Sequence, residues 1–159
     1  EVGPPAGLAG IAVPEQRYCR FEARWDEADG LLPDGVPAQV AGTSIFIAGT
    51  RADGTRFEVR TARSDELRLD AIEGAGFPVT DATHALFVAF DGAALFRGVD
   101  LDLAVVATDG VIHIESGSND DLLAVFDDNV QAATKLFDDD DGSGTLDASE
   151  RDAEDVLAE

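Results

Sequence analysis

The sequence is short of several things, and each shortage excludes a class of answer. A single cysteine, Cys19, rules out an internal disulfide and a cysteine-based zinc cluster. The two histidines, His84 and His113, cannot complete a metal site without other ligands. Eleven Lys and Arg face 33 Asp and Glu, leaving a net charge of −22. Phosphate contacts need clustered cations, so nucleic acid and anionic membrane surfaces are poor partners for this chain. No run of about 18 apolar residues is present, and no membrane span is expected. A nucleophile elbow Gly-x-Ser-x-Gly, a phosphate-binding glycine loop and a His-Glu-x-x-His helix are all missing. Nothing selects a catalytic pair from the 33 acids, so the chain is not read as an enzyme.

What is present, at 159 residues, fits one domain, or one domain with an appendage. The opening Glu1-Val2-Gly3-Pro4-Pro5 lacks the basic and apolar regions of a signal peptide and suits a processed linker. Residues 1–14 are read as a flexible N-terminal segment. Residues 118–159 carry 14 acids against Lys135 and Arg151, so the acidity is densest at the C-terminal end. Arginine outnumbers lysine ten to one, which suggests a GC-rich coding sequence, and the acid excess suits a salt-loving organism, where ions screen self-repulsion.

Residues 15–117 read as short strands. Cys19 to Trp25 alternates with period two, placing Cys19, Phe21, Ala23 and Trp25 on one face and three charged residues on the other. Ser44 to Ala48 and Arg56 to Thr61 form a hairpin around Asp53-Gly54, with Ile45 and Ile47 or Phe57 and Val59 turned inward. Glu66 to Ala71, His84 to Phe90, Leu101 to Ala107 and Val111 to Glu115 are further strands, with turns at Asp91-Gly92 and Asp109-Gly110. Gly30 to Val40, with Pro33 and Pro37, reads as a loop. The expected class is mainly β, an antiparallel β-sandwich, immunoglobulin-like or similar. Texture changes after Ser116. Ser118-Asn119-Asp120-Asp121 reads as a capping box, and Leu122, Phe126, Val130 and Phe137 fall on a helical stripe.

The most specific segment is Asp139 to Glu150. Calcium takes six to eight oxygens, and a twelve-residue loop supplies them from positions 1, 3, 5, 7, 9 and 12, with glycine at 6 for the turn. Those positions hold Asp139, Asp141, Ser143, the Thr145 carbonyl, Asp147 and Glu150, with Gly144 at the turn and Leu146 at the inward-packing position 8. Asp147 and Glu150 also form an Asp-x-x-Glu capping box, expected to open a leaving helix from about Ala148 to Ala158. Asp26 to Gly30 and Asp100 to Asp102 are acidic but lack the glycine and the terminal glutamate, so the loop is solitary.

Residues 137 to 158 resemble the EF-hand family, in the lone-hand style seen in bacterial secreted proteins. One departure is Asp138, which separates Phe137 from loop position 1. The stretch Val79 to Glu150 also loosely resembles lipoprotein-like secreted proteins of bacteria and haloarchaea, in which a strand-rich domain precedes such a loop. The resemblance implies calcium (Ca2+), a helix-loop-helix over residues 118–159, and an extracellular, cell-surface or periplasmic location. It implies no activity. Solitary sites of this kind hold calcium at about 10⁻⁴ to 10⁻³ M, where an extracellular structural module works.

Other candidates have simpler readings beside them. His84 and His113 on adjacent strands would suit copper or zinc in a periplasmic carrier, but each also reads as a partly buried strand residue. Cys19 reads as a buried, inert thiol, and Trp25 as a core residue before a carbohydrate platform. Phe21, Phe46, Phe57, Phe87 and Phe90 are assigned to the core. Leu8 to Val13 would suit a donor strand in an extracellular filament or surface layer assembled by self-association. The leading expectation is a secreted structural or adhesive module ordered by calcium.

Overall fold

The computed structural model describes residues 13–28, 32, 35–83, 85–139, 141–147, 150–151 and 156–159. It is mainly β, with ten strands and few helical residues, and the chain divides into two compact units. One unit comprises residues 22–67 and 92–133; the other comprises residues 1–21, 68–91 and 134–159. Each is described by itself.

The first unit is built on β3 (Ile45–Thr50), β4 (Arg56–Thr61) and β8 (Val111–Ile114), in the order β3-β4-β8. β3 and β4 pair antiparallel from Ile45↔Thr61 to Thr50↔Arg56, as the Asp-Gly signal implies. Asp53 Oδ1 accepts the Thr55 amide at 2.8 Å, and Gly54 takes φ +90°, which closes the turn. Alternation then sends Ile45 and Ile47 toward the core with Phe57 and the fully buried Val59. On the opposite face Phe46 lies under the Arg60 guanidinium, 5.7 Å from its ring centre.

Two helices cover this sheet: α1 (Gly92–Leu95) and α2 (Asp120–Ala132). Phe126 and Val130, one turn apart on α2, are fully buried against Val59, Ile112 and Ile114. Each such side chain contributes about 1.5–3 kcal/mol relative to exposure. Phe57, Phe96 and Phe126 meet edge to face, with both centroid separations at 5.6 Å. Asn129 Nδ2 donates to the carbonyls of Leu95 and Arg97 at 3.0 and 2.7 Å, tying α2 to the end of α1.

In the second unit β1 (Gln16–Tyr18) pairs with β6 (Phe77–Val79), stacking Tyr18 on Phe77. A separate sheet runs β10-β9-β7, from β7 (Leu86–Phe90), β9 (Thr134–Asp138) and β10 (Val156–Ala158). β9 is central and antiparallel to both neighbours. Leu136, Phe137, Val156 and Ala158 are buried, as are Leu69, Phe77 and Val79 of the same unit. Beyond β10, Asp70 and Glu159 exchange backbone hydrogen bonds at 3.0 and 3.2 Å. β2 (Arg20–Arg24) and β5 (Glu66–Asp70) form the remaining strand pair, and residues of each strand fall in both units.

Several expectations need correction. The layer opposite the β3-β4-β8 sheet is helical, so this core is not closed by a second sheet as in a sandwich. β8 runs parallel to β4, from Arg56↔Val111 to Val59↔Ile114. The Asp109-Gly110 turn does form, but Leu101 to Ala107 is irregular and no hairpin precedes β8. The apolar stripe breaks after α2: Phe137 belongs to β9, because the chain leaves the helix at Ala133 and extends from Thr134. The leaving helix is likewise absent at its far end, where Val156–Ala158 is a strand paired with β9. Asn119, not Ser118, caps α2, and its side chain makes no capping bond because it is engaged elsewhere. Cys19 is exposed, and Phe90 is 45% exposed. Trp25 does pack against the core.

Candidate metal centre

The loop starts where β9 ends. Asp139 is the first residue past that strand, and its amide donates to the Ala85 carbonyl at 3.0 Å, extending the β7–β9 pairing by one step. The backbone is thereby fixed at loop position 1, and the Asp139 side chain is 2% exposed. No sequence signal points to Ala85, since the contact is non-local.

Asp139 then organises the turn. Its Oδ1 accepts the Ser143 amide and its Oδ2 the Gly144 amide, both at 3.0 Å. Asp141 Oδ1 accepts the same Ser143 amide at 2.8 Å. Gly144 reaches this position with φ +72°, a conformation that disfavours any side chain. Ser143 Oγ donates to the Thr145 carbonyl at 3.0 Å and accepts the Thr145 amide at 3.2 Å, so oxygens from positions 5 and 7 adjoin.

The far end is held by the reciprocal bonds expected of Asp147 and Glu150. Glu150 Oε2 accepts the Asp147 amide at 3.0 Å, and Asp147 Oδ1 accepts the Glu150 amide at 3.3 Å. Arg151 Nε donates to the Asp147 carbonyl at 3.0 Å, an anchor the sequence reading did not include. Glu150 is 6% exposed.

Folding brings three of the six named residues together. Carboxylate oxygens of Asp139, Asp141 and Glu150 all lie within 4.8 Å of one another, the first and last buried and Asp141 exposed. Ligand oxygens around a calcium ion, at 2.3–2.6 Å each, stand up to about 5 Å apart, and the three carboxylates have spacings of that size. Two buried carboxylates side by side are costly without a counter-charge. A hard cation would supply such a charge, and the all-oxygen donor set is of the kind that holds one. Ser143 and Thr145 sit beside the triad as bonded neighbours; Asp147 is exposed. Asp140, Ala148 and Ser149 lie outside the described residues.

The other candidates separate. His113 Nε2 is 3.0 Å from Asp109 Oδ2, and its Nδ1 is 3.9 Å from Glu58, which Arg60 holds at 2.8 Å. That hydrogen bond from His113 holds the Asp109 carboxyl below its usual range. His84 lies outside the described residues, as do residues 8–12 of the donor segment. A shallow concavity of about 380 Å³ is lined by Arg51, Asp53, Val99, Asp100, Leu101 and Asp102. Arg51 pairs there with both Asp53 and Asp102, which occupies the one cation in its wall.

No protein-family model, curated protein or solved structure matches this chain.

Proposed function

We propose that Asp139 to Glu150 binds one calcium ion and that the chain is a secreted or cell-surface structural module. The observation that carries this reading is the convergence of Asp139, Asp141 and Glu150 oxygens within 4.8 Å, two of them buried. Ser143, the Thr145 carbonyl and Asp147 complete the coordination in the order the sequence sets out. The flanking helices of an EF-hand are no part of this proposal, because strands adjoin the loop. A two-sheet sandwich is omitted for the reason given by the helical layer.

The changed flanks alter what calcium does. Position 1 follows β9 directly, and position 12 lies six residues before β10, which pairs back onto β9. The ion therefore closes the connection between two adjacent strands of one sheet. Without it, like charges push Asp139 and Glu150 apart and strain the seat of β10. Such a clasp is static at millimolar calcium, which supports an extracellular setting over cytosolic sensing.

Calorimetric titration at fixed ionic strength tests the reading. One calcium per chain is expected, abolished by Glu150→Gln. Binding unaffected by that substitution, or no binding heat at any temperature, refutes it.

A further inference from the structure

The segment Asp100 to Ala107 is irregular, yet it is firmly held. Leu101 and Ala104 pack against the core of the first unit. Leu103 and Ala104 amides return to the carbonyls of Asp100 and Leu101 at 3.1 and 3.4 Å. Asn119 then clasps Val105 from both sides: its Oδ1 accepts the Val105 amide at 2.8 Å and its Nδ2 donates to the Val105 carbonyl at 3.1 Å. The same Nδ2 reaches the His113 carbonyl at 2.7 Å. Asn119 adopts φ +55° to do this and gives up capping α2.

On that fixed backbone the other aliphatic side chains point into water. Leu103 is 78% exposed, Val105 71% and Val106 47%. Single exposed aliphatics are ordinary, but three within four residues form a patch. The core has no use for them, since Leu101 and Ala104 already fill the inward positions. A flexible loop would bury them part of the time; the Asn119 clasp prevents it.

The surroundings define what covers the patch. From Gly98 to Asp121 the chain carries six carboxylates and neither Lys nor Arg. Arg51 takes up Asp102, Arg60 takes up Glu115 and His113 bonds Asp109, leaving Asp100, Asp120 and Asp121 to keep this stretch of chain negative. A second copy of the chain brings another −22 and the same acidic rim, so like charges oppose self-pairing here. We infer that Leu103, Val105 and Val106 are the apolar centre of a docking surface for a basic protein partner, one presenting apolar side chains among Lys and Arg. Apolar contact would supply the affinity and the rim the steering, in the usual division between core and edge of an interface.

An amphipathic Leu/Lys peptide serves as the probe, with a Ser/Lys peptide of equal charge as its control, both followed by amide NMR shifts. The Leu/Lys peptide is expected to shift Val105 and Val106 and to bind at least about tenfold more tightly than the control, from burial of aliphatic area. The double substitution Leu103→Ser, Val105→Ser preserves every charge and is expected to erase that difference while leaving other amide shifts in place. Equal binding of the two peptides, shifts spread over the acidic surface, or an unaffected double variant overturns the inference. A concentration-dependent dimer in sedimentation that the double variant abolishes also overturns it, in favour of a second copy.

Discussion

Removing one charge from the loop while keeping its hydrogen bonds separates a metal ligand from a capping residue. Glu150 accepts the Asp147 amide, and glutamine accepts it equally well, so Glu150→Gln leaves the cap intact. What it removes is a buried negative charge next to Asp139 and Asp141. For the parent chain, calcium at a hundredfold excess over Kd adds about 2.7 kcal/mol to the native state. With 159 residues and an unfolding entropy near 2.1 cal/mol/K per residue, the transition entropy is about 330 cal/mol/K. The melting midpoint then rises by about 8 °C, and each further tenfold in calcium adds about 4 °C. In chelator the variant should melt at or slightly above the parent, because one repulsive charge has gone, and in calcium it should not respond. Ionic strength must be matched, since any salt relieves a net charge of −22. Magnesium at equal concentration provides the control, because it prefers a tighter octahedral shell at 2.0–2.1 Å. Equal upward shifts with magnesium, or a calcium response that survives in Glu150→Gln, would refute the reasoning.

Other perturbations have directions set by the structure. Phe126→Ala empties a fully buried site in edge contact with Phe96 and should cost about 3–5 kcal/mol, read by denaturant titration with Trp25 fluorescence on the same core. Burial raises the pKa of Asp127, whose Oδ1 has no hydrogen-bond partner among the described residues. The folded state therefore holds this proton more tightly than the unfolded chain, and stability falls as pH rises from the ordinary carboxylate range through the raised value. Asp127→Asn should remove that slope and gain no more than about 0.5 kcal/mol at neutral pH, given its partial exposure; a loss at neutral pH would contradict it. Cys19, being exposed, should react with a thiol reagent in the native protein as fast as in denaturant, within about threefold.

Local signals carried through where local chemistry decides the outcome. The β3–β4 hairpin follows from Asp53-Gly54 and flanking alternation, and β2, β5, β7 and β8 lie within the strands read from period two. The turn at Gly144 and the Asp147–Glu150 cap were legible, because both are short-range features. Non-local choices were not. Phe126, Val130 and Phe137 share a helical spacing, and no Gly or Pro marks the helix end, so β9 was hidden behind an apparent continuation of α2. Thr134 to Asp138 offered a β-branched start as a weak counter-signal. Three residues are too few for β10 to show any period. Leu101 to Ala107 looked like a strand by composition, yet Asn119 supplies the bonds a neighbouring strand would have made to Val105. The parallel β4–β8 register lay beyond reach, since nothing near Val111 encodes a partner some fifty residues earlier.

The order in which strands enter the β10-β9-β7 sheet bears on how this protein is made. β7 ends at Phe90, but its central neighbour β9 begins at Thr134, after every residue of the other unit has been made. During vectorial synthesis the unit of residues 22–67 and 92–133 is thus complete while β7 still awaits its mate. The apolar run Leu86 to Phe90 passes that interval as an unmatched strand, the form most prone to pair with a neighbouring nascent chain. The interval between β7 and β9 along the chain is therefore the stage of synthesis at which mispairing of this sheet has its opening.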